Sequence, residues 1–341
     1  MPTDQSSANA SGSAKASAER ADFYARLKTK NSAPLWEVLS DIVRKDPRTS
    51  VQAAFWKYDE MRPFIAEAGR LITAEEAERR VLILENPGLQ GRSGITQSLY
   101  AGLQLIMPGE HAHSHRHTAS ALRFILEGTG AYTSVDGERL SMKPGDFILT
   151  PFWSYHDHGN PGSEPVVWLD GLDIPTVNMF DTSFFEKEAE HDHDHDEEGA
   201  PEAKFVETSV MKYPYEPHRD KLSAMAKRGA ADPRHGHKLE YRNSKTGDAV
   251  LPTIGAWLQL LPKGFAGLPY RSTDATIFCA VEGHGTSKIG DKTFSWGPRD
   301  IFVAPSWHAV SHQANDESVL FSFSDRPAQQ SLGIWREEVQ A

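Results

Sequence analysis

The N-terminal part of the chain carries apolar residues at helical spacing. From about residue 17 to residue 70 they recur every three or four positions, the period of an amphipathic helix. An Asn-Ser-Ala-Pro stretch at 31–34 predicts a break between two helices. We therefore expect a helical segment over 19–78. The Ser/Ala-rich residues 1–18 before it are expected to form a disordered tail.

Beyond Arg80 the pattern changes to short apolar runs separated by Gly, Pro and Asp. Runs of this length bounded by turn residues are typical of antiparallel strands in a barrel or sandwich. Successive runs are VLILENP, SLYAGLQLIMPG, ALRFILEGTGAYTSV, ERLSMKPGDFILTP and VVWLDGLDIP. The sequence thus predicts an all-β-dominated protein with a helical segment at its N-terminus.

Three of these runs recur later in the chain in the same order. LQLIMPG, which starts at Leu103, returns as LQLLPKG at Leu258, a displacement of 155 residues. PGDFILTPFW, which starts at Pro144, returns as PRDIFVAPSW at Pro298, a displacement of 154. Between them, FILEGTG has the counterpart FCAVEGHG. A near-constant offset over three blocks predicts a duplicated domain.

The duplication sets the predicted domain boundaries. We expect one barrel domain at 79–185, a connecting segment at 186–247 and a second barrel domain at 248–341. The connecting segment contains the tract EHDHDHDEE at 190–198. We interpret this tract as a solvated acidic linker, with loose binding of a divalent ion as the open alternative.

Composition narrows the class of protein. The 341 residues include one cysteine, Cys279, so an intramolecular disulfide is excluded and a reducing compartment is favoured. Most of the net charge of −11 is local, because residues 186–202 hold nine carboxylates and one lysine. No basic stripe suggests nucleic-acid binding, and no apolar run approaches the roughly 18 residues that cross a bilayer. We expect a soluble, cytoplasmic protein without nucleic-acid or membrane partners.

The run HAHSHRH in the first copy is the strongest chemical signal. His115 and His117 are two positions apart, so in a strand both imidazoles point to one face and can hold one metal ion. His111 and His113 share this alternation, so spacing alone does not choose the pair. Forty-one residues after His115, a predicted strand and turn lead to His156. A third imidazole there would complete a metal site with positions left open for a substrate.

These histidines resemble the two motifs of the cupin superfamily. Pro151, His156 and Asn160 fit the second motif in spacing, with Trp153 in place of its glycine. The resemblance therefore selects His156, rather than His158 two positions on, as the third ligand. The glutamate of the first motif is absent, since alanine and leucine occupy positions 121 and 122. The resemblance implies a three-histidine site, typical of cupin dioxygenases that use Fe(II).

From about residue 20 to residue 339 the chain resembles the bicupin gentisate 1,2-dioxygenases and their salicylate and 1-hydroxy-2-naphthoate relatives. The segments that carry this resemblance are HRHTASALRFILEG, PGDFILTPFWSYHDHGN, WLDGLD, KLEYRNSKTG, PTIGAWLQLLPKGF, PYRSTDATIF, NSAPLWEVL and WKYDEMRP. The resemblance implies a bicupin fold, that is, two antiparallel cupin barrels. It also implies a homo-oligomer, commonly a tetramer.

The offsets predict that the second barrel is metal-free. They map His115 onto Tyr270 and His117 onto Ser272. They map His156 onto Val310 and Arg123 onto Phe278. Valine and phenylalanine side chains cannot bind iron. We therefore expect one iron per chain.

Two arginines are candidates for holding a substrate carboxylate, because a guanidinium group can donate two parallel hydrogen bonds to it. Arg123 lies eight residues after His115, an even number, so we expect it to face the barrel interior. Arg79, at the start of an earlier strand, is the second candidate, with Arg80 as the alternative if the register is shifted by one. The resemblance implies that Arg79 and Arg123 surround the bound aromatic acid.

Other predicted site residues follow from alternation and from the resemblance. Gln104 and Tyr100 should share one face of a strand; the resemblance implies that Gln104 contacts the substrate, and Tyr100 is a plausible selector of substrate. His158 shares a face with His156 and is placed to exchange a proton with a ring hydroxyl. Asp170 is expected to orient His158 or to take the proton itself, with Asp173 as the less favoured alternative.

The resemblance implies Fe(II)-dependent cleavage of gentisate by O2, between the carboxyl-bearing carbon and the adjacent hydroxyl-bearing carbon, to give maleylpyruvate. Salicylate or 1-hydroxy-2-naphthoate is the alternative substrate. A bicupin that only binds a ligand or a metal, and a Mn or Zn isomerase on the same fold, are further alternatives.

Overall fold

The computed structural model describes residues 6–188, 205–206 and 208–339. The acidic histidine tract at 190–198 lies outside the described residues. The chain divides into two compact units, Met1–Arg48 and Thr49–Ala341. None of the described helices has the length and apolar character needed to span a lipid bilayer.

The first unit contains two helices, α1 (Ser6–Lys28) and α2 (Leu35–Ile42). They are separated where the sequence predicts a break, and the Tyr24 hydroxyl joins them by accepting from Trp36 Nε1 at 2.9 Å and donating to Glu37. The predicted disordered tail requires a correction, because α1 already begins at Ser6. The alanines in this segment account for the difference, since alanine has the highest helix propensity.

The second unit opens with β1 (Ala54–Trp56), α3 (Tyr58–Leu71) and α4 (Ala74–Ala77). The first barrel and its extensions follow as β2 (Val81–Ile83), β3 (Tyr100–Ile106), β4 (His111–His117), β5 (Ala121–Glu127), β6 (Tyr132–Val135), β7 (Glu138–Ser141), β8 (Phe147–Thr150), β9 (His156–Gly159), β10 (Val166–Leu172), α5 (Ile174–Met179), β11 (Phe185–Lys187) and β12 (Lys212–Tyr213). A short 3-10 helix (Pro87–Leu89) precedes β3.

The second barrel is preceded by α6 (Tyr215–Arg228). Its elements are β13 (His237–Glu240), β14 (Gly255–Leu261), β15 (Tyr270–Ser272), β16 (Thr276–Glu282), β17 (Gly285–Ile289), β18 (Lys292–Trp296), β19 (Ile301–Ala304), β20 (Val310–Ala314), β21 (Ser318–Ser324), α7 (Arg326–Ser331) and β22 (Glu337–Val339).

Within the residues that the structure describes, each barrel contains a six-stranded and a five-stranded antiparallel sheet. In the first barrel the strand orders are β12-β8-β5-β10-β3-β2 and β11-β4-β9-β6-β7. In the second they are β1-β19-β16-β21-β14-β13 and β18-β17-β20-β15-β22. The repeat extends to the register, because Tyr270 pairs with Val310 as His115 pairs with His156. The predicted bicupin fold is confirmed.

Two predicted segments contribute more to the barrels than we expected. Strand β1 lies in the segment predicted to be helical, yet it pairs with β19 of the second barrel. In the described part of the predicted connecting segment, β12 pairs with β8 and β13 pairs with β14. Leu222 and Tyr241 of the same segment are buried in the core. Strands of two to four residues are too short for alternation to reveal them.

The two barrels share one hydrophobic core. Phe124 of the first barrel stacks on Phe321 of the second, with ring centroids 4.1 Å apart. Phe147 and Tyr241 pack around this pair. Strands β5 and β8 of the first barrel therefore pack against the second barrel.

Candidate active site

Two neighbouring strands of the first barrel bring three imidazoles together. His115 and His117 lie on β4, and His156 opens β9, directly opposite His115. One nitrogen from each ring lies within 4.8 Å of the other two. Within the described residues, no other group of three His, Cys, Asp or Glu side chains converges in this way. The predicted choice of His156 over His158 agrees with this geometry.

The four histidines of β4 do not form one row. The register of β4 against β9 shifts between Ala112 and His115, which marks a β-bulge. His111 lies 3.3 Å from the Asp157 carboxylate, and His113 is exposed. The bulge therefore separates His111 and His113 from the converging pair, which spacing alone did not reveal.

Backbone carbonyls fix the orientation of all three imidazoles. The Nδ1 atom of His115 donates to the His113 carbonyl at 3.3 Å, that of His117 donates to Ala119 at 2.7 Å, and that of His156 donates to Ser154 at 3.0 Å. This pattern places the lone pair of each ring on Nε2, the nitrogen that could bind a metal ion. In His115 this atom accepts from Arg79 Nη2 at 2.5 Å.

Burial keeps the three rings in the neutral form that binds metals. It lowers the pKa of His115 to about 3, and the positive charge of Arg79 lowers it further. Burial also lowers the pKa of His117, and lowers that of His156 well below its usual range with help from Arg123. Neutral imidazole is the ligand form of histidine, so the residues present fit a bound transition metal ion.

A cavity of about 390 Å³ opens beside the triad. Its volume suits a small aromatic ligand. The residues that line it are Glu78, Arg79, Val81, Tyr100, Gln104, His115, His117, Ala119, Arg123, His156, Asp170, Leu172, Ile174, Asn178, Ser183, Phe184 and Phe185. All three imidazoles, two arginines and one aspartate thus face a single space.

The two arginines of the cavity differ in how they are held. Arg123 is buried, and its Nη1 donates to Thr150 Oγ1 at 2.6 Å, while its Nε lies 3.7 Å from Asp170 Oδ1. Arg79 lies two residues before β2, and its Nη2 contacts the His115 ring. The Arg80 guanidinium is instead paired with Glu110, to which it donates two hydrogen bonds, at 2.7 and 2.9 Å. Arg79 is therefore the arginine that faces the site.

Asp170 is the only cavity-lining residue of β10 that carries a charge, among those that the structure describes. It accepts a hydrogen bond from Trp168 Nε1 at 2.8 Å. Burial raises its pKa to about 6, although Arg123 acts in the opposite direction. The alternative, Asp173, is engaged in structural contacts, since its carboxylate accepts from the Ser120 amide and from the Thr253 hydroxyl.

Known proteins are similar to this chain in both fold and sequence. The cupin domain family matches residues 102–172. A gentisate 1,2-dioxygenase from Aquipseudomonas alcaligenes is 51% identical, over 94% of this chain and 96% of the relative. A 5-aminosalicylate 1,2-dioxygenase from Comamonas sp is 35% identical, over 91% of this chain and 88% of the relative.

Solved structures agree with these sequence relatives. A variant of the salicylate 1,2-dioxygenase from Pseudoaminobacter salicylatoxidans, in complex with gentisate, superposes with a TM-score of 0.85 at 30% identity and covers 95% of both chains. The chain belongs to the gentisate 1,2-dioxygenase family. The resemblance seen in the sequence is confirmed, and with it the class of enzyme, a ring-cleaving dioxygenase.

In this member of the gentisate 1,2-dioxygenase family, Tyr100 and Gln104 line the cavity as predicted from alternation. His158 does not line the cavity. It is fully buried, and its ring centroid lies 5.8 Å from that of His156 and 5.5 Å from that of Trp168. Its Nδ1 lies 2.7 Å from Thr133 Oγ1. Burial and the charge of Arg123 lower its pKa well below the usual range. These features favour a supporting role over proton exchange.

Several residues of the dioxygenase cavity were missed at the sequence level. Val81 and Leu172 follow Arg79 and Asp170 by two positions, so alternation gave a signal for both. Ile174 and Asn178 come from α5, and Phe184 and Phe185 come from the segment around β11. No local pattern indicates that these two later elements cover the site.

A glycine also shapes the dioxygenase cavity. A Cβ atom at Gly102 would overlap the Val81 side chain and lie 3.0 Å from the Tyr100 hydroxyl. Any larger residue there would have to displace these two cavity-lining side chains.

Proposed function

We propose that the protein cleaves gentisate with O2 in an Fe(II)-dependent reaction. The cleaved bond joins the carboxyl-bearing ring carbon to the adjacent hydroxyl-bearing carbon, and the product is maleylpyruvate. The observation that carries this proposal is the convergence of three neutral imidazoles with two arginines and one aspartate in one cavity of about 390 Å³. The family assignment supports the same reaction.

His115, His117 and His156 would hold the metal ion. Three protein ligands leave coordination positions open for a substrate. Bound Fe(II) supplies the one-electron chemistry that makes the reaction of O2 with a closed-shell ring accessible. The hydrogen bonds from the Nδ1 atoms to the backbone keep each imidazole aimed at the ion.

Arg79 and Arg123 would bind and orient the substrate carboxylate. Both guanidinium groups face the cavity, and burial strengthens a charge-assisted hydrogen bond. Gln104 and Tyr100 add polar contacts along the same wall. Positioning a bound ring beside the metal centre supplies much of the rate enhancement.

Gentisate has one hydroxyl beside its carboxylate and a second one para to the first. Asp170 is our candidate for the group that accepts the proton of this para hydroxyl. A carboxylate whose pKa is about 6 is ionised near neutral pH and is a stronger base than an ordinary aspartate. His158, the other sequence candidate, lies outside the cavity lining, so we assign it the support of His156 and Trp168.

Salicylate is the second candidate substrate, because the superposed structure belongs to a salicylate 1,2-dioxygenase that was solved with gentisate bound. Salicylate lacks the second hydroxyl, so it gives Asp170 no proton to accept. 1-Hydroxy-2-naphthoate remains the bulkier alternative.

Oxygen uptake by the Fe(II)-loaded chain tests the proposal, with gentisate, salicylate and 1-hydroxy-2-naphthoate measured in parallel. We expect the highest kcat/KM with gentisate and none with any substrate after His156→Ala. Uptake with salicylate alone would change the substrate but keep the site. The tetrameric state implied by the sequence resemblance stays a prediction, which light scattering tests.

A further inference from the structure

The outer face of the metal-binding strand carries an arginine between two of the ligands. Arg116 lies between His115 and His117 on β4, so its side chain points away from the cavity. Its guanidinium lies 4.6 Å from the ring centroid of Trp153 and 4.5 Å from that of Tyr155. Both aromatic residues belong to the turn that leads to His156. One side chain thus connects the strand of two ligands to the turn of the third.

The backbone of this turn is strained at Trp153. Its φ angle is +59°, in the left-handed region that a bulky residue rarely adopts. Trp153 occupies the glycine position of the cupin motif, which explains why the motif has a glycine there. In this conformation the Trp153 amide donates to the carbonyl of His117 at 3.0 Å. The strained turn therefore holds a ligand residue directly.

A carboxylate from the edge strand completes the arrangement. Glu186 on β11 accepts from Nε and Nη2 of Arg116, at 2.8 and 2.6 Å. The guanidinium is therefore fixed in its plane by Glu186 while its faces contact aromatic rings, which is the geometry that suits arginine and not lysine.

The second barrel contains a similar arrangement without the metal ligands and with one aromatic ring instead of two, because Ala309 stands where the first barrel has Tyr155. Arg271 lies 4.5 Å from the ring centroid of Trp307, whose φ angle is +63°. The Trp307 amide donates to the Ser272 carbonyl at 2.7 Å, and Glu338 accepts from Arg271 at 2.8 and 2.9 Å. Here Tyr270 and Ser272 flank the arginine. The repeat thus provides a matched control within one chain.

We propose that Arg116 is a positioning residue for the metal centre. By stacking between Trp153 and Tyr155 it holds β4 against the turn before β9, and it thereby fixes the position of the His115 and His117 pair relative to His156. The inference rests on the proposed metal centre, but it concerns the residues that hold the ligands in place.

Binding of Co²⁺ to the metal-free protein tests this role without using activity. Titration followed by the visible absorption of bound Co²⁺ reports both affinity and ligand geometry. We expect Arg116→Gln to weaken binding by about tenfold or more, the range found for groups that orient metal ligands, and to alter the spectrum. Arg271→Gln, the matched control, should leave affinity and spectrum unchanged. Thermal unfolding of the metal-free variants measures the stability that each arrangement contributes.

A second variant separates stacking from charge. Arg116→Lys keeps the positive charge beside Glu186 but loses the planar stack, and we expect it to weaken Co²⁺ binding as well; it also serves if Arg116→Gln does not fold. Equal Co²⁺ affinity and spectrum in Arg116→Lys and the unaltered protein would overturn the proposal. If the unaltered protein binds no Co²⁺ or Fe²⁺, the proposed metal centre itself fails.

Discussion

Two consecutive arginines at the start of the first barrel have different partners. Arg79 faces the cavity and contacts His115, whereas Arg80 makes a two-pronged ion pair with Glu110 and donates to the Ile72 carbonyl at 2.9 Å. Both residues precede β2, yet one guanidinium lies in the cavity and the other is paired with Glu110, so we propose that Arg79 serves the substrate and Arg80 the fold. This division can be tested by the same conservative substitution at each position.

We expect Arg79→Lys to raise the KM for gentisate by about tenfold or more, because lysine cannot make two parallel hydrogen bonds to a carboxylate. Arg80→Lys should leave the KM unchanged and lower the free energy of unfolding by about 1–3 kcal/mol, since Glu110 loses its paired donor. Steady-state kinetics and urea unfolding of both variants check this. The reverse pattern would mean that Arg80 is the substrate ligand.

The raised pKa of Asp170 predicts how the activity depends on pH. Its pKa of about 6 means that the carboxylate becomes protonated as the pH falls through 6. A protonated Asp170 cannot accept a proton, so kcat/KM for gentisate should decline below about pH 6. We expect Asp170→Asn to lower kcat by about 10²- to 10⁴-fold and to abolish that decline, while Co²⁺ affinity is retained. An acid limb that persists in Asp170→Asn contradicts this assignment.

At the scale of elements, alternation and repetition predicted much of the site. The spacing of His115 and His117 and the family motif around His156 pointed to residues that converge in the structure, and the 154-residue offset pointed to the matching strand register of the two barrels. The parity argument for Arg123 was unsound, because β4 and β5 are separate strands and the turn between them resets the alternation. Arg123 faces the cavity because Asp170 and Thr150 on its two neighbouring strands hold it there.

Other contributions could not be predicted from local pattern. Strand β11 is three residues long and adds to the edge of β4, and α5 follows β10 through a turn. Their residues enter the cavity through tertiary packing, which periodicity along one segment does not encode. The bulge in β4 that separates His113 from His115 is likewise set by pairing with β9.

The second barrel retains a buried histidine where the first has His158. His312 is fully buried and its Nδ1 lies 2.7 Å from Ser287 Oγ, just as His158 lies beside Thr133. Because the pair persists in the barrel without metal ligands, it belongs to the framework of both barrels. This repetition is a second reason to assign His158 a supporting role.

The buried His312 predicts acid sensitivity. Burial lowers the pKa of His312 from 6.5 to about 3. Below pH 6.5 the unfolded chain therefore binds a proton that the native chain does not bind. The free energy of unfolding consequently decreases as the pH is lowered. Between pH 7 and pH 5 this one group should cost about 2 kcal/mol. Urea unfolding of the metal-free proteins measures this decrease in the free energy of unfolding between pH 7 and pH 5. In His312→Gln the decrease should be smaller than in the unaltered protein by about that amount. An equal loss in both proteins would exclude His312 as a cause.

On the scale of the whole molecule, the two barrels stabilise each other. Phe321 stacks on Phe124 and also contacts Phe147, so the core is continuous between the barrel that carries the site and the barrel that does not. The second barrel therefore supports β5, the strand that carries the cavity-lining Arg123, which gives a physical reason for retaining it without ligands of its own.

Phe321→Ala should therefore destabilise both barrels together, by about 3–5 kcal/mol, the usual cost of removing a buried aromatic ring. Calorimetry should show one unfolding transition of the Thr49–Ala341 unit that moves as a whole to lower temperature. Phe152→Ala, at a side chain that is 60% exposed, is the control and should change stability by less than about 0.5 kcal/mol. Two separate transitions in Phe321→Ala would show that the barrels are independent.

The most direct test of the account is the stoichiometry of oxygen consumption. The chain is loaded with Fe(II) under anaerobic conditions, given a limiting amount of gentisate, and then exposed to O2 in an oxygen electrode. We predict one O2 consumed per gentisate, no hydrogen peroxide, and a ring-opened product with the composition of gentisate plus O2. A chain that holds one Fe(II) yet consumes no oxygen, or that releases peroxide with the ring intact, would contradict the assignment of this site as a ring-cleaving centre for gentisate.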